Sequence, residues 1–409
     1  MEDAVLRRAI SENLARQLAV MPAVVLTGAR QTGKTTIARD LSGSERRFVT
    51  LDSAADLDLA ERDPDTLIGA LAEPPLTIDE VQRAPDLLLA VKRAIDSKRQ
   101  RGQFLLTGSA NLLLMRRVSE SLAGRAGYLT LWPMTRREQL GQGREGIWDA
   151  LLETREREWP ELIRSQPDEQ EDWRVSARRG GYPAPALELR TDDERAVWFE
   201  GYIRTYLERD LQDISAISAL PDFRRLMRIA ALRAGQITNQ SGMARDADLS
   251  QPTAHRYLNM LETSYLTVRV PPYVTNRTKR LIKSPKLYWG DTGLAMYIAQ
   301  ENEPRGARLE NMVLHDLLVW RDSRFKHAEV FYWRTAGGQE VDFVIEEGER
   351  LLPIEVKASR RANVRDAMHI HAFQEEYGPM ARPGLVLHTG EIVEWLLPGV
   401  LAAPWWRVF

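Results

Sequence analysis

Between residues 20 and 131 short apolar runs alternate with longer stretches of helical period. Residues 23–27, 48–51, 76–79, 104–107 and 128–131 read as five buried strands, each an apolar or β-favouring run bounded by turn residues. The helical patterns between them predict an α/β layer, a parallel sheet covered by helices on both faces. Beyond residue 145 the pattern changes. Residues 148–173 are rich in acids and read as a solvated helical segment and loop. Residues 194–214 carry Trp198, Tyr202, Tyr206 and Leu207 on or near one helical face, which predicts a core stripe. A helix over 222–233, a short one capped by Ser241 and a third from Ser250 to Glu262 then precede two strands, 266–270 and 286–289. Three short helices and a hairpin form the order of a winged helix-turn-helix. At the carboxyl end a helix over 309–320, strands over 330–335, 340–345 and 351–357, a helix over 362–376 and a strand over 384–388 give an αβββαβ order.

Candidate chemistry enters where the first strand ends. Gly28-Ala29-Arg30-Gln31-Thr32-Gly33-Lys34-Thr35 fits the spacing G-x-x-x-x-G-K-[ST], and Thr36 opens a helix. Glycines let backbone N–H groups turn inward around phosphates, Lys34 reaches their oxygens, and the Thr35 hydroxyl suits Mg²⁺. The strand over 76–79 ends in Asp79 and Glu80. Behind a phosphate loop, Asp79 is expected to hold Mg²⁺ and Glu80 to orient and polarise the attacking water. After the strand over 104–107, Thr107, Ser109 and Asn111 are candidates to touch the γ-phosphate or that water, Ser109 before the others.

The motifs GARQTGKT, LTIDEVQ, LLTGSAN and LAGRA resemble the AAA+ branch of P-loop ATPases. With GGYPAP, YLERDL, SQPTAHRYL, EVDFVIEEG and IEVKAS, the chain looks like the prokaryotic ATP-binding proteins of this branch that carry a C-terminal domain of unknown function. The resemblance implies hydrolysis of ATP with Mg²⁺ as cofactor, a helical lid, and self-association into a ring or partial ring. It also implies an arginine finger, for which Arg125 in Leu-Ala-Gly-Arg-Ala is preferred over Arg116, Arg117, Arg136 and Arg137.

The C-terminal order is similar to the PD-(D/E)xK nuclease fold, with Val341 where the motif name has proline. Residues two apart in a strand share a face, so Glu355 and Lys357 point the same way, with Asp342 on the adjacent antiparallel strand beside them. Asp342, Glu355 and, from the preceding helix, Glu310 are candidate Mg²⁺ ligands. Lys357 is a candidate to orient hydroxide or steady phosphate charge. Arg334 and Gln374 are candidate phosphate contacts. His369 and His371, two apart on a helix, diverge and form no metal pair.

Composition narrows the classes. The 409 residues carry 44% hydrophobic and 28% charged residues, a formal net charge of -2 and no cysteine. That excludes a disulfide framework, a cysteine zinc site and a thiol nucleophile. No apolar run is long enough to span a membrane, and the acidic start lacks a signal-peptide layout, so a cytoplasmic protein is expected. Local charge singles out 277–286, where Arg277, Lys279, Arg280, Lys283 and Lys286 stand without an acid. With the polar face of the third helix (Gln251, Thr253, His255, Arg256 and Asn259) it makes DNA the expected partner, the alternative being an assembly module. The expected division is an ATPase core over 1–145, a helical lid and linker over 146–218, a winged helix over 219–300 and a nuclease-like domain over 301–409. Two functions fit: an ATP-driven DNA-processing enzyme, or a nucleotide-dependent binding switch that never cuts.

Overall fold

Five parallel strands build the first sheet: β1 (Ala23–Thr27), β2 (Arg47–Thr50), β3 (Leu76–Asp79), β4 (Phe104–Thr107) and β5 (Ala126–Thr130), in the order β2-β3-β4-β1-β5. The inner strands β1, β3 and β4 are buried along their whole length. They read as mainly apolar runs, with threonines and the terminal Asp79 the exceptions, because helices cover both faces of a parallel sheet. Register sets Leu26 beside Thr107 and Thr50 beside Asp79, so the loops leaving β1, β3 and β4 meet at one edge. The computed structural model describes residues 5–42, 46–71, 75–109, 122–207, 220–276, 278, 280 and 283–409. Asn111, Arg116, Arg117, Arg277, Lys279 and the side chains of Tyr206 and Leu207 lie outside what it describes.

The middle of the chain packs the helices Leu220–Leu232, Gln240–Asp246 and Gln251–Thr263 with a small antiparallel sheet of β6 (Gln236–Ile237), β7 (Thr267–Val270) and β8 (Lys286–Trp289), ordered β6-β8-β7. Strand β6 is too short to show an alternation, so its pattern could not announce it. Ser250 caps the third helix by accepting from Thr253 N–H. Ser241 does not cap the second. Asn239 does, accepting from Gly242 N–H at 2.9 Å, while the Ser241 hydroxyl merely donates to the Asn239 side chain.

The C-terminal sheet runs β13-β14-β12-β11-β10-β9, from β9 (Glu329–Arg334), β10 (Glu340–Glu347), β11 (Arg350–Val356), β12 (Gly384–His388), β13 (Glu394–Leu397) and β14 (Val400–Pro404). The helices Gly306–Ser323 and Val364–Tyr377 take the expected places in the order, and β13 and β14 extend it.

Packing divides the described part of the expected lid and linker, residues 146–207. The acids of its first part stay outside, but Trp148, Leu151, Trp159, Ile163 and Trp173 share one core with Phe343, Ile345, Leu352 and Trp405. Its second part turns elsewhere, with Phe199 and Tyr202 packing against Tyr182, Phe223 and Leu294. The carboxyl terminus seals the join, since Ile147 N–H donates to the Val408 carbonyl at 3.0 Å.

Beneath this join lies His315, half-buried, with Nε2 placed to donate to the Pro133 carbonyl at 3.0 Å. Burial lowers its pKa from 6.5 to about 4. Between those values the unfolded chain takes up a proton that the native ring refuses. The ring's stabilisation is therefore whole above pH 6.5 and drains as pH falls toward 4, by at most about 1.4 kcal/mol per pH unit. Asp291 and Asp316, whose carboxyls burial raises to about 6, protonate first in the native state and act in the opposite direction. The informative measurement is thus a difference. In urea titrations from pH 6.5 down to pH 5, His315→Gln is expected to lose stability less steeply than the parent chain; parallel losses would remove this role.

Candidate nucleotide site and carboxylate cluster

Only six residues separate β1 from the helix Lys34–Ser42, so the connection must turn tightly. Gly28 (φ 145°), Gln31 (φ 58°) and Gly33 (φ 96°) make that turn. A Cβ on Gly28 would stand 2.3 Å from the Leu131 carbonyl oxygen, so no other residue fits. Thr32 ties the loop inward by donating to the Ala29 carbonyl at 3.0 Å. Arg8, which nothing in the sequence pattern marks, braces it from below. One guanidinium nitrogen donates to the Thr32 carbonyl at 2.9 Å, another to Trp132 at 2.8 Å, and the side chain pairs with buried Glu138 at 3.1 Å. Lys34 folds back over the loop, donating to the Ala29 carbonyl at 2.6 Å and the Gly28 carbonyl at 3.3 Å. Burial pushes its ammonium down to about 8 against the opposing pull of Glu80 and Asp79. Arg30 borders the same space, and Thr36 faces outward on the helix.

Asp79 ends β3 at 1% exposure. Three hydroxyls from three elements donate to it: Thr35 at 3.0 Å, Thr50 at 3.3 Å, and Thr107. Hydrogen bonds to a buried carboxylate contribute about 1.5–3 kcal/mol each, so together they fix the side chain. Glu80 follows in a left-handed conformation (φ 59°) that a non-glycine residue adopts at a cost of about 1–2 kcal/mol. Burial raises its carboxyl, the nearby Lys34 opposing. Gln82 donates to both Glu80 and the Ser109 hydroxyl, the latter at 2.9 Å. The structure thus brings Lys34, Thr35, Asp79, Glu80, Thr107 and Ser109 to one edge. Oxygen donors beside a glycine-rich loop and a helix N-terminus fit a nucleotide with Mg²⁺.

Arg125 is elsewhere. It precedes β5 and its carbonyl accepts from Ala23 N–H, at the start of β1. The phosphate loop leaves the other end of that strand, about 15 Å away at strand rise. A role on its own subunit's phosphate is therefore overturned by the strand direction, and a bidentate pair with Asp96 at 2.6 and 3.0 Å engages its guanidinium. Arg136 and Arg137 are buried in the join with the C-terminal domain, Arg136 over the Trp405 ring and Arg137 donating to the Arg407 carbonyl.

In the C-terminal sheet Phe343 pairs with Ile354, and one step further sets Asp342 opposite Glu355. Val356 N–H donates to Asp342 Oδ2 at 2.9 Å. A bulge between Val341 and Val344 re-aims this part of β10. Lys357 donates to Glu355 Oε1 at 2.6 Å, leaving Glu355 Oε2 buried with no hydrogen-bond partner. Tyr288 donates to Glu310 at 3.1 Å. Burial first, and Asp342 next, raises the carboxyls of Glu310 and Glu355 to about 8. Lys286 is the side chain the sequence reading misplaced. At 2% exposure it is no DNA contact: its ammonium lies 2.5 Å from Glu340 and 3.5 Å from Asp342. Burial lowers its pKa, but Asp342, Glu310 and Glu340 outweigh this and hold it above the ordinary lysine value.

Among the described residues no three His, Cys, Asp or Glu side chains gather as a metal set. The cluster does not fit Mg²⁺ as it stands, because the Lys286 ammonium lies against Asp342, whose other oxygen accepts from Val356 N–H, although Glu355 Oε2 is left without a partner. Arg280 is also withdrawn from the expected basic wing, paired with Glu346 at 2.7 and 3.0 Å and lying over the Tyr273 and Phe331 rings. Gln374 is no phosphate contact either, since it donates to the Gly399 and Arg382 carbonyls. Arg334 lies 3.3 Å from Glu340, and His369 meets the Glu340 carbonyl. Lys283, His255 and Arg256 remain exposed.

Three family models match the chain: an AAA domain over residues 21–140, a domain of unknown function (DUF8612) over 170–305, and a second (DUF4143) over 305–407. The uncharacterized protein Rv2008c of Mycobacterium tuberculosis is 31% identical over 371 residues, which cover 88% of this chain and 76% of that one. The uncharacterized protein Mb2031c of Mycobacterium bovis matches to the same extent. Among solved structures, a Walker-type ATPase of Pyrococcus abyssi is 16% identical, with a TM-score of 0.43, covering 72% of this chain and 99% of that one.

The contact at Gly28 yields a test. Gly28→Ala must push the loop away from Leu131, and a loss of at least about tenfold in nucleotide affinity is expected, equivalent to about 1.4 kcal/mol. Titration with a fluorescent ADP analogue reads it, and an unchanged affinity would show that the loop's shape does not depend on this turn.

Proposed function

The chain belongs to the same family as Rv2008c and carries an AAA-type ATPase domain, and from this we propose that it is an ATP-hydrolysing switch acting on DNA. The observation that carries the proposal is the meeting of Lys34, Thr35 and Glu80 around a carboxylate fixed by three threonines. Lys34 would bind phosphate oxygens, and Thr35 and Asp79 would hold Mg²⁺. Bound with the nucleotide, that ion neutralises phosphate charge. Glu80 would orient the attacking water and accept its proton, and burial favours that by raising its basicity. Ser109 stands two hydrogen bonds from Glu80, through Gln82. Arg125 stays a candidate finger only toward a neighbouring subunit in a ring or partial ring, where it would have to leave Asp96.

The middle domain is read as a winged helix, on the strength of its three helices and its β7–β8 hairpin. The exposed Gln251, His255 and Arg256 on the third helix, with Lys283 beside the hairpin, support duplex DNA as its partner. The C-terminal domain is read as nuclease-like and, in this arrangement, non-cleaving, because Lys286 sits among the carboxylates that would hold the metal. Asp342 opposite Glu355 and Lys357 favours the second reading, Mg²⁺-dependent cleavage by the same fold. A nicking assay on single-stranded, duplex and branched DNA, with Mg²⁺ or Mn²⁺ and with or without ATP, decides between the two.

Two outcomes are expected. Lys34→Ala abolishes nucleotide binding, whereas Glu80→Gln binds ATP and stalls turnover; a Glu80→Gln chain as fast as its parent would remove the role given to Glu80. Arg256→Ala and Lys283→Ala weaken DNA binding across sequences, and each flattens the log–log salt dependence by about 0.9 if it removes one duplex phosphate contact. An unaltered slope in fluorescence anisotropy would move the DNA site elsewhere.

A further inference from the structure

Lys286 belongs by sequence to the middle domain and by contact to the C-terminal one. It opens β8, the central strand of the small sheet, pairing with Ile237 on one side and Val270 on the other. Its backbone is therefore fixed. The side chain crosses into the next domain, passing Tyr332, with Nζ 5.6 Å from the ring centre, and ends between Glu340 and Asp342. Tyr288, two residues on, meets Glu310 from the same strand. Backbone bonds tie the two domains here as well: Tyr273 N–H to the Tyr332 carbonyl at 2.6 Å and Tyr332 N–H to the Pro271 carbonyl at 3.1 Å.

We propose that the Lys286 ammonium is the built-in counter-ion of the Glu340 and Asp342 carboxylates, holding the place of a divalent cation and locking the small sheet to the C-terminal sheet. Isolated buried carboxylates are costly, and such a group either finds a partner or takes up a proton. Here the partners are supplied from within the chain: Lys286 for Glu340 and Asp342, Arg334 also for Glu340, and Lys357 for Glu355. A divalent ion on Asp342 would lie against the ammonium already there, and two cations at contact distance repel strongly where, as at Lys286 and Asp342, both partners are buried. The metal therefore enters only when Lys286 leaves, which requires the two sheets to part or the side chain to be removed. The inference rests on the non-cleaving reading of the C-terminal domain and is independent of ATP hydrolysis, so metal binding, read without nucleotide or DNA, tests it apart from the ATPase.

The test titrates nucleotide-free full-length protein with Mn²⁺ alone and reads bound metal by electron paramagnetic resonance. Asp342→Asn distinguishes this cluster from the phosphate-loop site. The parent chain is expected to show no Mn²⁺ binding that Asp342→Asn removes. Lys286→Met is expected to gain a stoichiometric site that Asp342→Asn abolishes, and its lowered melting temperature should recover with Mn²⁺. Because stripping a buried cation leaves its partners uncompensated, Lys286→Met combined with Glu340→Gln provides a second variant with one charge fewer to satisfy. Asp342-dependent binding by the parent chain overturns the proposal, and so does a folded Lys286 variant that gains no site.

Discussion

The carboxylate of Asp79 is the point through which the nucleotide end of the molecule is organised. It is almost wholly buried, and its donors come from the loop-proximal helix (Thr35), from β2 (Thr50) and from β4 (Thr107). Backbone register sets the relative heights of the parallel strands' C-terminal ends. The hydroxyls clasping one carboxylate then tie the side chains at those ends together. With them fixed, Thr35 lies against Asp79, and Glu80 must leave the strand in its left-handed turn toward Gln82. The phosphate loop is then held from outside by Arg8 and Leu131.

The small middle sheet touches both chemically loaded regions. Tyr265, just ahead of β7, shares a 2.9 Å hydrogen bond with Thr27, the last residue of β1, and packs edge-on against Trp132. Tyr202 donates to the Arg30 carbonyl of the phosphate loop at 3.4 Å and meets Tyr182 at 3.1 Å. From β8, Lys286 and Tyr288 reach the C-terminal carboxylates. The small sheet and the residue ahead of it thus contact both the last residue of β1 and the C-terminal carboxylate cluster. A change in the loop that displaced Tyr265 would be felt along β7 and β8, because the two strands are paired over their full length.

The ATPase end was legible in the sequence because its signals are local. A glycine-lysine-threonine turn between an apolar run and a helix, then Asp79-Glu80 after a second run, require no knowledge of distant contacts. That Asp342 lies on the strand next to Glu355 and Lys357 was legible too, from strand alternation and a short turn, but the exact register was not. Sequence pattern failed where long-range contact decided the outcome. Lys286 and Arg280 read as a basic wing, yet Glu340 and Glu346, more than fifty residues further on, draw both inward. Arg125 read as a finger because of its motif, while strand direction put it at the opposite edge of the sheet. The acid-rich stretch hid Trp148, Trp159 and Trp173, whose burial depends on a sheet formed much later in the chain. Arg8 carried no signal at all.

The claim that Asp79 both orders the site and holds its metal is tested most directly by ATP affinity measured with and without Mg²⁺, in the parent chain and in Asp79→Asn. Isothermal titration calorimetry resolves the two contributions. The amide preserves the shape, accepting from a threonine hydroxyl through its oxygen and donating to another through its nitrogen, so metal-free ATP binding should persist, while the gain in affinity that Mg²⁺ gives the parent should vanish. If Asp79→Asn bound ATP more tightly with Mg²⁺ by the same factor as the parent, the account of this site would be wrong.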